Sequence, residues 1–155
     1  MEQNKTKAKE PITVVVGLGR SGIAAAKLLN KEGKKVVVIE KSTKEKYKNT
    51  CKDLTQLGIV VELGKPLEIS SFEPWIENIS SVIVSPSIPW DHKTINQLRG
   101  LKIEVKAEIS LAWERLNYIP WIGITGTNGK TTVTEMLKHI MDTNRINYEC
   151  GGNIG

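Results

Sequence analysis

The chain has 155 residues, 39% of them hydrophobic, with 22 basic and 17 acidic side chains and a formal net charge of +5. That length holds one ordinary domain and part of a second, and the charge suits an anionic ligand such as a nucleotide. No dense Lys/Arg block interleaves with aromatic residues, no apolar run reaches bilayer length and no apolar leader opens the chain, so the reading is a cytoplasmic protein without a nucleic-acid or membrane partner.

Met1 to Glu10 is polar and charged and reads as a disordered tail, residues 1–10. Ile12 to Val16 is a continuous β-branched run, suited to a strand buried on both faces. The glycine loop Gly17-Leu18-Gly19-Arg20-Ser21-Gly22 follows, and Ile23 to Glu32, rich in Ala and Leu, predicts a helix stopped by Gly33. Val36 to Ile39 predicts a second strand, closed by Glu40. Tyr47, Cys51, Leu54 and Leu57 mark one face of a second helix, which makes Cys51 a core thiol. The basic Lys41–Lys48 segment is interrupted by glutamate and reads as a solvated loop and helix start.

Ile59 to Leu63 predicts a third strand, and a Pro-containing connection over 65–74 leads to a fourth at Val82-Ile83-Val84. Ile95 and Leu98 sit on a short helix ended by Gly100, and Ile103 to Val105 predicts a short fifth strand. This alternation predicts a parallel, doubly wound, Rossmann-like α/β domain over residues 11–110. Residues 111–118 read as a helical connector. A second α/β unit over 119–155 is then expected to hold a buried strand at 119–124, a helix at 131–142 and a strand at 146–150. A single strand-loop-helix-strand unit cannot enclose a core of its own, so this second domain reads as cut short. Cys51 and Cys150 show no metal-ligand spacing.

Two glycine loops carry the chemistry. Gly17-x-Gly19-x-x-Gly22 lies between a strand and a helix and has the dinucleotide spacing, with Glu40 about 20 residues on, where an acid can hold a ribose hydroxyl. Taken alone it admits NAD, FAD or any other diphosphate. The second loop, Gly126-Thr127-Asn128-Gly129-Lys130-Thr131-Thr132, heads the 131–142 helix. Loop amides and the helix N-terminus can cradle phosphates, Lys130 can reach the terminal phosphates, and a hydroxyl can ligate Mg²⁺. Its spacing varies from the general G-x-x-x-x-G-K-[ST] pattern: position 124 is Ile124, and Gly126 sits inside the loop. Ser85-Pro86-Ser87-Ile88-Pro89 leaves the fourth strand at the same end as the first loop. A diphosphate domain followed by a nucleoside-triphosphate loop implies two phosphorylated ligands, which suits an ATP-driven ligase better than a dehydrogenase.

The run Thr125 to Thr132 resembles the ATP loop of the Mur ligases. Gly17 to Gly22, Val84-Ser85-Pro86 with Ile88-Pro89, and Gly151-Gly152-Asn153-Ile154-Gly155 resemble the D-glutamate-adding branch of that family, in order and spacing. The resemblance implies an ATP- and Mg²⁺-dependent ligase that adds D-glutamate to UDP-N-acetylmuramoyl-L-alanine through an acyl phosphate, acting in the cytoplasm as a monomer. It implies that Gly17, Leu18, Gly19, Arg20 and Ser21 approach the UDP diphosphate and that Glu40 and Lys41 lie near the uridine. Ser85 and Pro86 would line the same pocket, and Asn153 would reach the substrate from the second domain. Gly126, Thr127, Asn128, Gly129, Lys130, Thr131 and Thr132 would hold ATP, with Lys130 catalytic and Thr131 on the metal. Ser87 departs from a frequent Ser-Pro-Gly, and Glu40-Lys41-Ser42 is a loose match. The family's further acid, histidine and carbamylated lysine and its D-glutamate site have no counterpart here; His139 and His92 fill no such role. The chain alone is therefore expected not to catalyse. An NAD-dependent oxidoreductase and a non-catalytic nucleotide-binding module are the alternatives.

Overall fold

The computed structural model describes residues 10–152, so Asn153 and most of the N-terminal tail lie outside it. The described residues divide after Leu116 into two compact units.

The first unit is built on a five-stranded, wholly parallel sheet: β1 Ile12–Val16, β2 Lys35–Glu40, β3 Val60–Leu63, β4 Ile79–Val84 and β5 Glu104–Ala107. The strand order is β3-β2-β1-β4-β5. The central strands are apolar at nearly every position because both sheet faces are covered. Alternation along β1 sends Val15 to one core and Val14 and Val16 to the other. On the first face, helices α1 Arg20–Lys31, α2 Lys48–Gln56 and α4 Glu108–Leu116 bring Ala25, Ala26, Leu29, Leu54 and Leu111 against Val15, Val38 and Ile83. On the second, α3 Lys93–Gly100 brings Ile95 and Leu98 against Val14, Val37 and Val82.

The 65–74 connection is more than a linker. It contains two 3-10 turns, Ile69–Ser71 and Glu73–Trp75, and between them Phe72, fully buried in the second core. The Ser71 hydroxyl donates to the Pro66 carbonyl at 2.7 Å and the Thr94 hydroxyl to the Leu67 carbonyl at 2.8 Å, so two of the loop's carbonyls are satisfied while its aromatic ring is sunk.

Helix α1 starts at Arg20, three residues before the Ile23 that its apolar pattern marks. The third glycine of the loop allows this. A Cβ built on Gly22 would stand 2.0 Å from the Gly17 carbonyl oxygen, so only a glycine lets the first helical turn sit this close to the end of β1. Helix α4 is fixed to α1 by a bidentate pair: Arg115 donates through Nε and Nη2 to the two Glu32 carboxylate oxygens at 2.8 and 2.7 Å. That hydrogen bond holds the Glu32 carboxyl below the usual carboxylate range.

Among its described residues the second unit contains one helix, α5 Lys130–Thr143. The strands expected at 119–124 and 146–150 are not formed: neither segment joins a ladder among the described residues. A strand exists only through its hydrogen-bonded neighbours. Apolar runs without a paired partner stay irregular, and here they stay exposed, with Ile122 at 59% and Ile146 at 51%. The apolar face of α5 does form at the expected spacing, but Val133, Met136 and Ile140 are likewise exposed and the helix buries no residue.

Candidate functional site

In the strand order β3-β2-β1-β4-β5, the connections run outward in opposite directions from the boundary between β1 and β4. That is the switch point at which open α/β sheets bind ligands, beyond the strands' carboxyl ends. The loops leaving β1 and β4 meet there: a Cβ on Gly17, whose φ is +102°, would lie 3.7 Å from Ser85 Cβ. So the structure brings the first glycine loop and Ser85 together. Ser85 and Ser87 hydroxyls are 3.2 Å apart, and Pro86 is exposed beside them.

Gly19 is the N-cap of α1 and contributes no side-chain cap. Its α-carbon faces open space: a Cβ placed there would meet no heavy atom within 4 Å. The first amides of a helix have no partner within it, which is the feature that lets a helix N-terminus meet an anion. Arg20 is exposed on the helix's first turn and Ser21 is half-buried. Leu18 is different in kind: its side chain is only 1% exposed, in the first core, and its amide donates to Glu40 Oε2 at 2.9 Å. The other carboxylate oxygen of Glu40 accepts from the Ser42 amide at 2.9 Å. Lys41, between them, is exposed.

Sequence spacing marked Glu40 but not these two partners. Nor did it mark the fixing of the loop after β4, where the Arg99 guanidinium lies 4.2 Å from the Trp90 ring centroid and donates to the Trp90 carbonyl at 3.1 Å. His92 caps α3, its Nδ1 accepting from the Thr94 amide at 3.2 Å. His139 is exposed on α5.

The second loop has its own geometry. Gly126 and Gly129 have φ of +150° and +76°, and Gly129 is the N-cap of α5. A left-handed residue at the cap turns the chain into the helix with its first amides left toward the loop. The Lys130 ammonium donates back to the Gly126 carbonyl, so the charge is held over the loop. Thr127, Asn128, Thr131 and Thr132 are exposed along it. A loop of amides, a left-handed glycine at the helix cap and an ammonium turned over it fit a polyphosphate. Among the described residues no cluster of three or more His, Cys, Asp or Glu could hold a metal ion, and no helix is long and apolar enough to cross a membrane.

Comparison with known proteins gives consistent matches. Residues 11–107 match the family model of the Mur ligase MurD-like N-terminal domain, and residues 124–155 match that of the Mur ligase middle domain. The chain is 54% identical over 144 residues to a UDP-N-acetylmuramoylalanine--D-glutamate ligase of Synechococcus sp. (strain CC9902), covering 93% of this chain and 31% of that protein. It is also 54% identical over 145 residues to the protein of that name from Prochlorococcus marinus, covering 94% and 31%. The chain thus spans about a third of the length of the curated relatives it matches. Among solved structures, a murein peptide ligase from Psychrobacter arcticus superposes with a TM-score of 0.56 at 18% identity, over 92% of this chain and 30% of that one, which shows likeness of fold.

Proposed function

The chain belongs to the Mur ligase family, with a MurD-like N-terminal domain, and from that premise we propose that it carries the UDP site and the beginning of the ATP site of an enzyme joining D-glutamate to UDP-N-acetylmuramoyl-L-alanine. The reaction belongs to peptidoglycan synthesis in the cytoplasm. The observation that carries this reading is the pairing, in one chain, of two glycine loops of different build: one at the switch point of a Rossmann-like sheet, one with a lysine over a loop that caps a helix.

In this reading residues 11–110 form the UDP-substrate domain and residues 119–155 begin the ATP domain, joined by 111–118. Gly17, Gly19, Arg20 and Ser21 face the UDP diphosphate, with Ser85 and Pro86 across from them. The exposed Lys41 adds positive charge beside the nucleoside. Asn153 is assigned to the same substrate. The amides of 126–129 hold the ATP phosphates, Lys130 neutralises the β- and γ-oxygens, and the Thr131 hydroxyl is the metal ligand, with Thr132 beside it. ATP with Mg²⁺ supplies the phosphoryl group that activates the substrate carboxylate as an acyl phosphate. What this chain contributes is positioning and charge neutralisation, which is what phosphoryl transfer chiefly needs from a protein.

Calorimetric titration of the 155-residue chain tests the assignment. UDP is expected to bind and NADH is not. Lys130→Met is expected to weaken ATP·Mg binding roughly ten- to a hundredfold, the worth of hydrogen bonds to a charged group, while leaving UDP binding intact. D-glutamate-dependent phosphate release is not expected, since D-glutamate contacts are assigned to none of these residues. NADH binding with no response to UDP would overturn the reading in favour of an oxidoreductase.

A further inference from the structure

We propose that Glu40 is a positioning residue that braces the first glycine loop against the β2 loop, and that it is not a ligand of the ribose. The inference rests on the UDP reading of this site. An acid closing the second strand of a Rossmann-like sheet is ordinarily placed to hold ribose hydroxyls. Here both carboxylate oxygens are already engaged by the backbone. Oε2 accepts the Leu18 amide and Oε1 the Ser42 amide, each at 2.9 Å.

The two amides belong to different loops, which leave the carboxyl ends of adjacent strands, β1 and β2. A third bond runs beside them, from the Gly17 amide to the Ile39 carbonyl at 2.8 Å. A carboxylate shared by two N–H donors makes strong, directional bonds. Leu18 is also pinned from its other side, because its side chain is sunk in the core. Loop position is therefore set before any ligand arrives. The Leu18 amide is spent on the brace and so is not offered to the diphosphate. Recognition of the nucleoside falls to the 40–44 backbone and to Lys41, not to an acid gripping two hydroxyls.

Two measurements on the full 155-residue chain test this. The first needs no ligand: amide hydrogen exchange at Leu18 and Ser42. Glu40→Gln keeps one acceptor oxygen and replaces the other with a donor, so at least one of the two amides loses protection. Glu40→Asp keeps both acceptors, drawn back by one methylene, and is expected to fall between Gln and wild type. Unchanged exchange at both amides in Glu40→Gln overturns the brace.

The second is a ligand-deletion cycle, with UDP, 2′-deoxy-UDP and N3-methyl-UDP titrated into wild type and Glu40→Gln. Positioning predicts a loss of about tenfold or more in the variant, the same for all three ligands. A loss that shrinks with 2′-deoxy-UDP would make Glu40 a ribose ligand; one that shrinks with N3-methyl-UDP would make it a base ligand. Either overturns the proposal. Failure of the wild type to bind UDP would instead overturn the UDP reading, and the exchange result would still decide the brace.

Discussion

The first glycine loop leaves a strand paired on both edges, and the second leaves a segment that joins no ladder among the described residues. Both end in a helix whose N-cap is a glycine without a side-chain cap. The first is held at three points: Val14 to Val16 are buried, Gly22 packs against the Gly17 carbonyl, and Glu40 holds the Leu18 amide. Around the second, Ile122, Val133 and Met136 are exposed, and the contact across the loop is its own lysine on its own carbonyl. The turn that can hold phosphate is thus local, written in glycine positions and one cation. The strand that feeds it is not local, because it exists only when neighbours supply its hydrogen bonds.

The largest expected effect breaks the comparison at its glycines. Gly22→Val places a Cβ where the Gly17 oxygen stands, so the loop or the helix must move. A loss of about 3 kcal/mol is expected, at the upper end for overpacking. For a unit of this size that lowers the melting temperature by roughly 10–20 °C. Gly129→Ala meets no atom within 4 Å and carries only the strain of φ +76°, which costs about 1–2 kcal/mol. Thermal melts followed by circular dichroism compare the two. Equal losses would mean that the second loop is held as tightly as the first.

What the sequence disclosed follows the same division. The β-branched run of β1, the glycine spacing of 17–22 and the helical spacing of α5 are patterns within a few residues, and each formed the element it signalled. Phe72 lay hidden because a lone aromatic in a Pro-containing connection carries no period; it is buried by two 3-10 turns that only the finished core requires. Helix α1 starts early because of a contact to the chain five residues back, which apolar spacing does not record. At the candidate site, the glycines, Glu40 and Lys130 stood out by position, but the partners of Glu40 are set by how two loops meet across neighbouring strands. The 119–124 run signalled a need for burial; an apolar run does not say what covers it.

A smaller effect sharpens the picture of the first unit. Glu32 and Arg115 are about 30% exposed, so their pair is worth roughly 0.5–1 kcal/mol. Glu32→Gln leaves Arg115 its bonds to Glu114 and to the Leu111 carbonyl, which keeps the cost near the lower value. The pH dependence has a definite sign. The folded Glu32 carboxyl titrates below its unfolded value, so its contribution is whole above the ordinary carboxylate range and fades as pH falls through the lowered folded value. Urea denaturation at pH 7 and in acid should therefore show the difference between wild type and variant at pH 7 and its disappearance in acid. A difference that persists in acid would assign the loss to packing of the stem and not to charge.

The smallest effect concerns reactivity alone, and the chain supplies one reporter in each unit. Cys51 is half-buried on α2 against the first core, and burial pushes its thiol up. Cys150 is exposed in the second unit. The thiolate is the nucleophile, so a raised thiol beneath packed side chains is slow on both counts. A disulfide reagent at neutral pH is expected to label Cys150 in a fast phase and Cys51 in a markedly slower one, with the phases merging in denaturant. Assignment by Cys51→Ser and Cys150→Ser removes one phase each without touching either glycine loop. If Cys51 reacted as fast as Cys150, α2 would be opening as freely as the exposed unit. The contrast between a closed region around the first loop and an open one around the second would then fail at the helix that packs beside β3.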